Sequence, residues 1–156
     1  DRVSLEAVDA FFHRDVERLI PYARATIFRR KRYLRAFYTA FSVLTGNNPP
    51  LLFETLDENH RGSYRYEDNQ LVVNTLLLVS SDPHTAMRTI LHEARHAFQY
   101  YAVSHPWRVV LDKGLLYEWE SNISYYFRAD EGFNVYKYQP IEADADRFAR
   151  RGVLRE

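Results

Sequence analysis

The chain has 156 residues, enough for one domain around one core, with the apolar and charged balance of a folded globular protein rather than a disordered one. Its formal net charge is zero, so no long-range field draws it to nucleic acid or to an anionic membrane. It has no cysteine, which excludes disulfides and thiolate metal sites, and no apolar run approaches the ~18 residues a membrane span needs.

Ser4 is placed to cap a first helix, "LEAVDAFFHRDVERLI", in which Val8, Phe11, Phe12, Val16, Leu19 and Ile20 recur at helical spacing. "KRYLRAFYTAFSVLT" predicts a second helix, stopped by Gly46, and "GNNPP" breaks the chain. "LLFETL" reads as a strand. "GSYRYEDNQLVVNTLLLV" reads as a hairpin turning at Asp68-Asn69, with a second strand running from Leu71 to Val79. Asp82 as N-cap and Pro83 at the first helical position then open a helix reaching about Val103, where "SHP" ends it. "LLYEWESNISYYF" predicts another helix and "DEGFN" a loop. The last helix starts near Gln139-Pro140 and runs to Gly152. The expected architecture over residues 1–156 is a single α+β domain: N-terminal helices, a small sheet with a hairpin, a helix carrying "HEARH", and C-terminal helices. No signal peptide is legible. A start at Asp1 rather than Met suggests a processed product or a domain cut from a longer protein, and the expected setting is the cytoplasm or a larger bacterial protein open to secretion.

His92-Glu93-Ala94-Arg95-His96 carries the chemistry. At about 100° per residue, Met87, Ile90, Leu91, Ala94, Ala97, Phe98 and Tyr101 form one apolar arc, and His92 and His96 fall together roughly opposite its centre. Residues four apart project from one helix face with Cβ atoms about 5–6 Å apart, so two imidazole nitrogens can reach one Zn²⁺ at ~2.0–2.1 Å. Glu93 then points beside the metal, where a general base belongs. Core packing accounts poorly for histidines off the apolar arc, and a solvated helix face does not explain the spacing of all three residues.

A catalytic zinc site normally needs a third protein ligand. Positions 102 and 106 hold Ala and Pro, which removes a short downstream histidine, and His105 sits in the break before Pro106. His13, His60 and His84 have no patterned partner and suit solvated or capping roles. The acidic candidates are Glu118 and Glu120 in "YEWES", and Glu142, Asp144 and Asp146 in "QPIEADADRFA". Glu142 and Asp146 share a helix face beside an apolar stripe of Ile141, Ala145, Phe148 and Ala149. Two such acids repel unless something positive lies near them, although an acidic first turn also suits the helix dipole.

"HEARH" followed by "EADAD" resembles the gluzincin branch of zincin metallopeptidases, and the run "QPIEADADRFA" resembles short bacterial zincin-like domains. The resemblance implies His92, His96 and Glu142 as zinc ligands, Glu93 as general base, and Asp146 as the acceptor of a hydrogen bond from a ligand histidine. The interval from His96 to Glu142 is about double the usual gluzincin interval, which Glu118 and Glu120 match more nearly. Neither of those two has an aspartate four residues on; Asn122 and Ser124 stand there. With Glu142 as ligand, the extra residues would form an inserted helix lining the cleft.

The expected function is hydrolysis of a peptide or protein substrate by a zinc-activated water. Tyr125, Tyr126, Tyr136, Tyr138, Arg147 and Arg150 are possible donors to the oxyanion. The strand "LVVNTLLL" would pair with an extended substrate if it lay at a sheet edge, but its continuous apolar character points to burial on both faces. The alternatives are a zinc-containing domain that binds or senses a partner without turnover, and a metal-free domain in which "HEARH" is accidental. A general protease, a processing enzyme and an effector toxin all fit the sequence.

Overall fold

The computed structural model describes residues 22–42 and 48–153. The first predicted helix, its cap Ser4, His13 and the stop at Gly46 lie outside the described residues. Helix α1 (Ile27–Ser42) leads to strand β1 (Leu51–Glu54), then the hairpin β2 (Gly62–Arg65) and β3 (Gln70–Asn74). A 3₁₀ turn (Thr75–Leu78) precedes the long helix α2 (His84–Ser104). Helices α3 (Lys113–Ser124), α4 (Phe133–Tyr138) and α5 (Pro140–Val153) complete the α+β arrangement. No helix among the described residues is long and apolar enough to cross a membrane.

The sheet order is β1-β3-β2, with β1 parallel and β2 antiparallel to β3. The central place of β3 follows from its sequence: Leu71, Val72 and Val73 are fully buried, as a strand covered on both faces requires. β3 therefore cannot take a substrate strand, and the edge beside the cleft described below belongs to β2. Asn69, with φ of 50°, closes the hairpin, and its side-chain oxygen accepts a 2.7 Å bond from the Tyr64 hydroxyl.

The predicted strand to Val79 ends five residues early, at Asn74. The cause is the buried Asn74 side chain. Its amide donates to the carbonyls of Leu56, Asp57 and His60, and its oxygen accepts from the backbone N–H of Leu56 and of Leu76. That last bond caps the 3₁₀ turn and takes the backbone out of the ladder.

The helix start also shifts by one residue. Asp82 Oδ1 accepts from the His84 N–H at 2.9 Å, and Pro83 is the cap rather than the first helical residue. "DEGFN" is not a plain loop: a 3₁₀ turn (Ala129–Glu131) and α4 fill it.

Helix α2 is the spine. Its residues Met87, Ile90, Leu91, Ala94 and Ala97 meet α1 (Leu34, Phe37, Phe41), the sheet, and α5 (Phe148, Ala149, Val153) in the main core. A second cluster joins Ala102, Trp119 and Ile141, tying α2, α3 and α5 together at the other end.

Candidate metal centre

α2 is buried nearly all round. The side opposite its apolar arc is covered by α5 and β2, so His96 and Glu93 are only 7% and 9% exposed, not solvated. His92 is half-buried. α5 crosses α2 so that Glu142, in its first turn, meets both histidines across a separation of 50 residues from His92.

The ligand candidates converge. His92 Nε2 lies 3.0 Å from His96 Nε2, Glu142 Oε2 lies 3.1 Å from His92 Nε2, and Glu142 Oε1 lies 3.2 Å from His96 Nε2. His92, His96 and Glu142 are the residues among those described whose ligand atoms gather within 4.8 Å as a metal-holding group. Donor atoms about 2.0–2.2 Å from one tetrahedral ion stand roughly 3.3–3.6 Å apart, so these three atoms, at 3.0–3.2 Å, need only spread slightly to admit zinc.

The outward ring nitrogens explain why the inward ones face each other. His92 Nδ1 lies 3.0 Å from Asp146 Oδ1, and a carboxylate only accepts, so the proton sits on Nδ1. His96 Nδ1 lies 2.9 Å from the side-chain oxygen of Gln99, which fixes the same tautomer. In their neutral forms both histidines then turn the Nε2 lone pair inward, toward each other and toward a carboxylate. Such a cluster of acceptors needs a positive charge at its centre. A divalent cation would supply it, and two imidazoles with one carboxylate are a donor set that suits zinc.

Without a metal, protons take that place. Burial opposes charge on His92, but its hydrogen bonds to Asp146 and Glu142 outweigh burial and hold its pKa up at about 10. His96 shifts upward for the same reasons, chiefly through Glu142. Glu142 is pulled well below the usual carboxylate range: burial works against this, and the bonds from His92 and His96 overcome it. The bond with His92 lowers Asp146.

Glu93 lies beside the pair and is pushed upward by burial, with partial relief from His96 and His92 and a backbone N–H bond from Tyr64. That bond brings β2 against the helix. Asn74 N–H donates to the Arg61 carbonyl, so residues 61, 63 and 65 face β3 and the backbone of Gly62 and Tyr64 faces outward. Gly62 permits the approach: a Cβ there would stand 2.6 Å from Thr89 Cγ2 and 2.7 Å from the Val72 carbonyl oxygen.

A cleft of about 1030 Å³ opens over the cluster, with β2 on one side and Tyr126, Arg128, Phe133 and Tyr136 on the other. Of the inserted residues, α4 lines it through Phe133 and Tyr136, while α3 does not. Instead α3 anchors the segment that does. Asn122 accepts from the Ile141 N–H and donates to Gln139; Gln139 in turn accepts from the Phe127 N–H and donates to its carbonyl. That clamp delivers the neighbouring Tyr126 hydroxyl to Glu142 Oε1 at 2.6 Å.

The other candidates fall away from the cluster. Glu118 and Glu120 are exposed on α3. His105 stacks on Tyr101 and bonds its carbonyl. His84 pairs with Asp82, while His60 lines the cleft rim. Tyr125 and Tyr138 are 80% and 70% exposed, and Arg147 and Arg150 lie on the exposed face of α5. Sequence reasoning missed Gln99 and the Asn122–Gln139 clamp. For Gln99 a signal existed: it lies three residues after His96, on the same helix face. Comparison with protein-family models, with curated proteins and with solved structures returns no match.

Proposed function

We propose that the protein is a zinc-dependent metallopeptidase of gluzincin type, with His92, His96 and Glu142 as metal ligands and Glu93 as general base. The observation that carries this reading is the convergence of two imidazole Nε2 atoms and one carboxylate at 3.0–3.2 Å, with a buried glutamate beside them under a cleft. A bound Zn²⁺ would supply Lewis-acid chemistry, lowering the pKa of water toward ~7 and polarising a carbonyl.

The chain's own residues supply the rest. Glu93 takes a proton from water and returns it to the departing amine; the upward shift from burial suits both halves of that transfer. Tyr126 and Tyr136 line the cleft beside Glu142, and the Tyr126 hydroxyl donates to Glu142 Oε1, so either phenol would serve a developing oxyanion only by turning from that carboxylate. Among the described residues β2 pairs only with β3, and although Glu93 holds the Tyr64 N–H on its outer edge, the other outward backbone groups of β2 would align an extended peptide along the cleft. A site kept only for folding or for partner binding could hold the Tyr64 N–H with a neutral amide at position 93, so a buried carboxylate there favours turnover over a zinc domain without activity.

Two measurements test the proposal. Protein purified without added metal should contain about one zinc per chain. Glu93→Gln should retain that zinc and the parent's thermal stability, yet lose peptide cleavage, because an amide cannot accept the proton. Cleavage by the variant at the parent's rate would remove Glu93 from the mechanism.

A further inference from the structure

His96 is served by a different device from His92. Where His92 Nδ1 meets the Asp146 carboxylate, His96 Nδ1 meets the neutral oxygen of Gln99. Gln99 is fully buried, so its amide cannot turn to water for partners. Its nitrogen donates to the Ile141 carbonyl at 3.0 Å and to Asp144 Oδ2 at 2.7 Å. Those two acceptors fix which end of the amide faces His96. Asp144 is held in turn by Arg95, whose Nε donates to Oδ2 at 2.7 Å and whose terminal nitrogen donates to Oδ1 at 3.2 Å. Arg95 is itself buried, with its guanidinium over the rings of Phe98, Trp119 and Phe148 at 5.1, 5.4 and 4.9 Å.

Resting on the metal-site reading above, we propose that Gln99 is a positioning residue for the metal centre, oriented by the Arg95–Asp144 pair, and that it sets the His96 tautomer that leaves Nε2 open to the ion. The chemistry distinguishes an amide from a carboxylate here. A glutamate at 99 would put a second carboxylate about 2.7 Å from that of Asp144, with the single Arg95 guanidinium on Asp144 to offset both. A glutamine accepts from the imidazole while donating to Asp144, and so passes the influence of that carboxylate to the ring. The pair also joins α2 to α5, the two helices that bring His96 and Glu142 together. Arg95 and Asp144 thus fix a ligand's orientation and the spacing of its neighbours through one ion pair.

Zinc affinity, measured by competition with a chelator, reads this directly. Gln99→Met keeps the length and removes both the acceptor and the donor; its zinc dissociation constant should rise by about 10–100-fold. Asp144→Asn keeps the shape and removes the charge, and should give a smaller rise. Circular dichroism checks that both variants are folded. Zinc binding by folded Gln99→Met within twofold of the parent overturns the proposal while leaving the ligand set standing. A parent that binds no zinc overturns the ligand set and this proposal together. Should Gln99→Met fail to fold, Asp144→Asn decides. The proposal requires weaker zinc binding by the folded Asp144→Asn protein, and affinity equal to the parent's refutes it.

Discussion

The carboxylate of Glu142 has to satisfy two imidazoles and a phenol while almost wholly buried. A buried carboxylate is retained only where its charge is compensated, and removing it leaves the histidines with no anionic partner at the centre. Glu142→Ala should therefore lose most of the bound zinc. Asp146→Ala leaves all three ligands in place and removes only the group that orients His92, so zinc affinity should fall by roughly 10–100-fold. Glu118→Ala and Glu120→Ala change exposed residues on α3 and should leave affinity unaltered. Chelator competition across the four variants gives the ranking. Loss of zinc on changing Glu118 or Glu120, with Glu142→Ala still loaded, would place the third ligand at the shorter interval and refute the cluster.

At the scale of the element, the position of β2 against α2 decides whether an extended chain can lie beside Glu93. Gly62 is the point of closest approach. A methyl group there would collide with Thr89 Cγ2 at 2.6 Å and with a backbone oxygen of β3 at 2.7 Å. Gly62→Ala should destabilise the fold by about 1–3 kcal/mol, the usual range for overpacking. It should also depress peptide cleavage, because β2 must move away from the helix. Adding Thr89→Ala should recover less than half of the loss, since the Val72 carbonyl cannot give way. Thermal unfolding of the single and double variants measures both; full recovery in the double variant would show that only the side-chain clash matters. The same closeness explains what could be read from sequence. Periodicity located α2 and α5 because long amphipathic helices repeat their pattern many times, and the i, i+4 spacing of His92 with His96 and of Glu142 with Asp146 marked the faces that meet. A helical wheel of one helix does not know what covers its polar face. Packing of α5 and β2 on α2 turned that face into a buried site. The early end of β3 depended on Asn74 reaching three carbonyls of a distant loop, and the Tyr126 wall depended on Asn122 meeting Gln139, neither of which leaves a local pattern.

For the whole molecule, the cluster makes stability depend on pH in a way that a bound metal should reverse. In the metal-free protein the folded state holds a proton on His92 up to about pH 10, whereas the unfolded chain releases it near 6.5. Stability from that charge is complete below about pH 6.5 and is lost as pH rises through the folded value. Glu93 acts in the same direction at lower pH: its folded pKa is raised above 4.5, so rising pH ionises it more readily in the unfolded chain. Glu142 and Asp146 act oppositely. Their folded values are depressed, so their contribution is present above the unfolded values of 4.5 and 3.8 and is lost on acidification. With a chelator present, the midpoint temperature should fall steadily between pH 6.5 and 9.5, below the range where tyrosines of the unfolded chain ionise. Zinc binding requires the histidines to give up those protons, so it strengthens over the same range. At a free zinc concentration 100 times the dissociation constant, binding stabilises the fold by about 2.7 kcal/mol. The gap in midpoint temperature between zinc-loaded and chelated protein should accordingly widen from pH 6.5 to 9.5. A gap that stays constant, with the chelated protein flat over that interval, would mean that His92 holds no proton in the metal-free fold and that the inward-facing lone pairs are relieved in some other way.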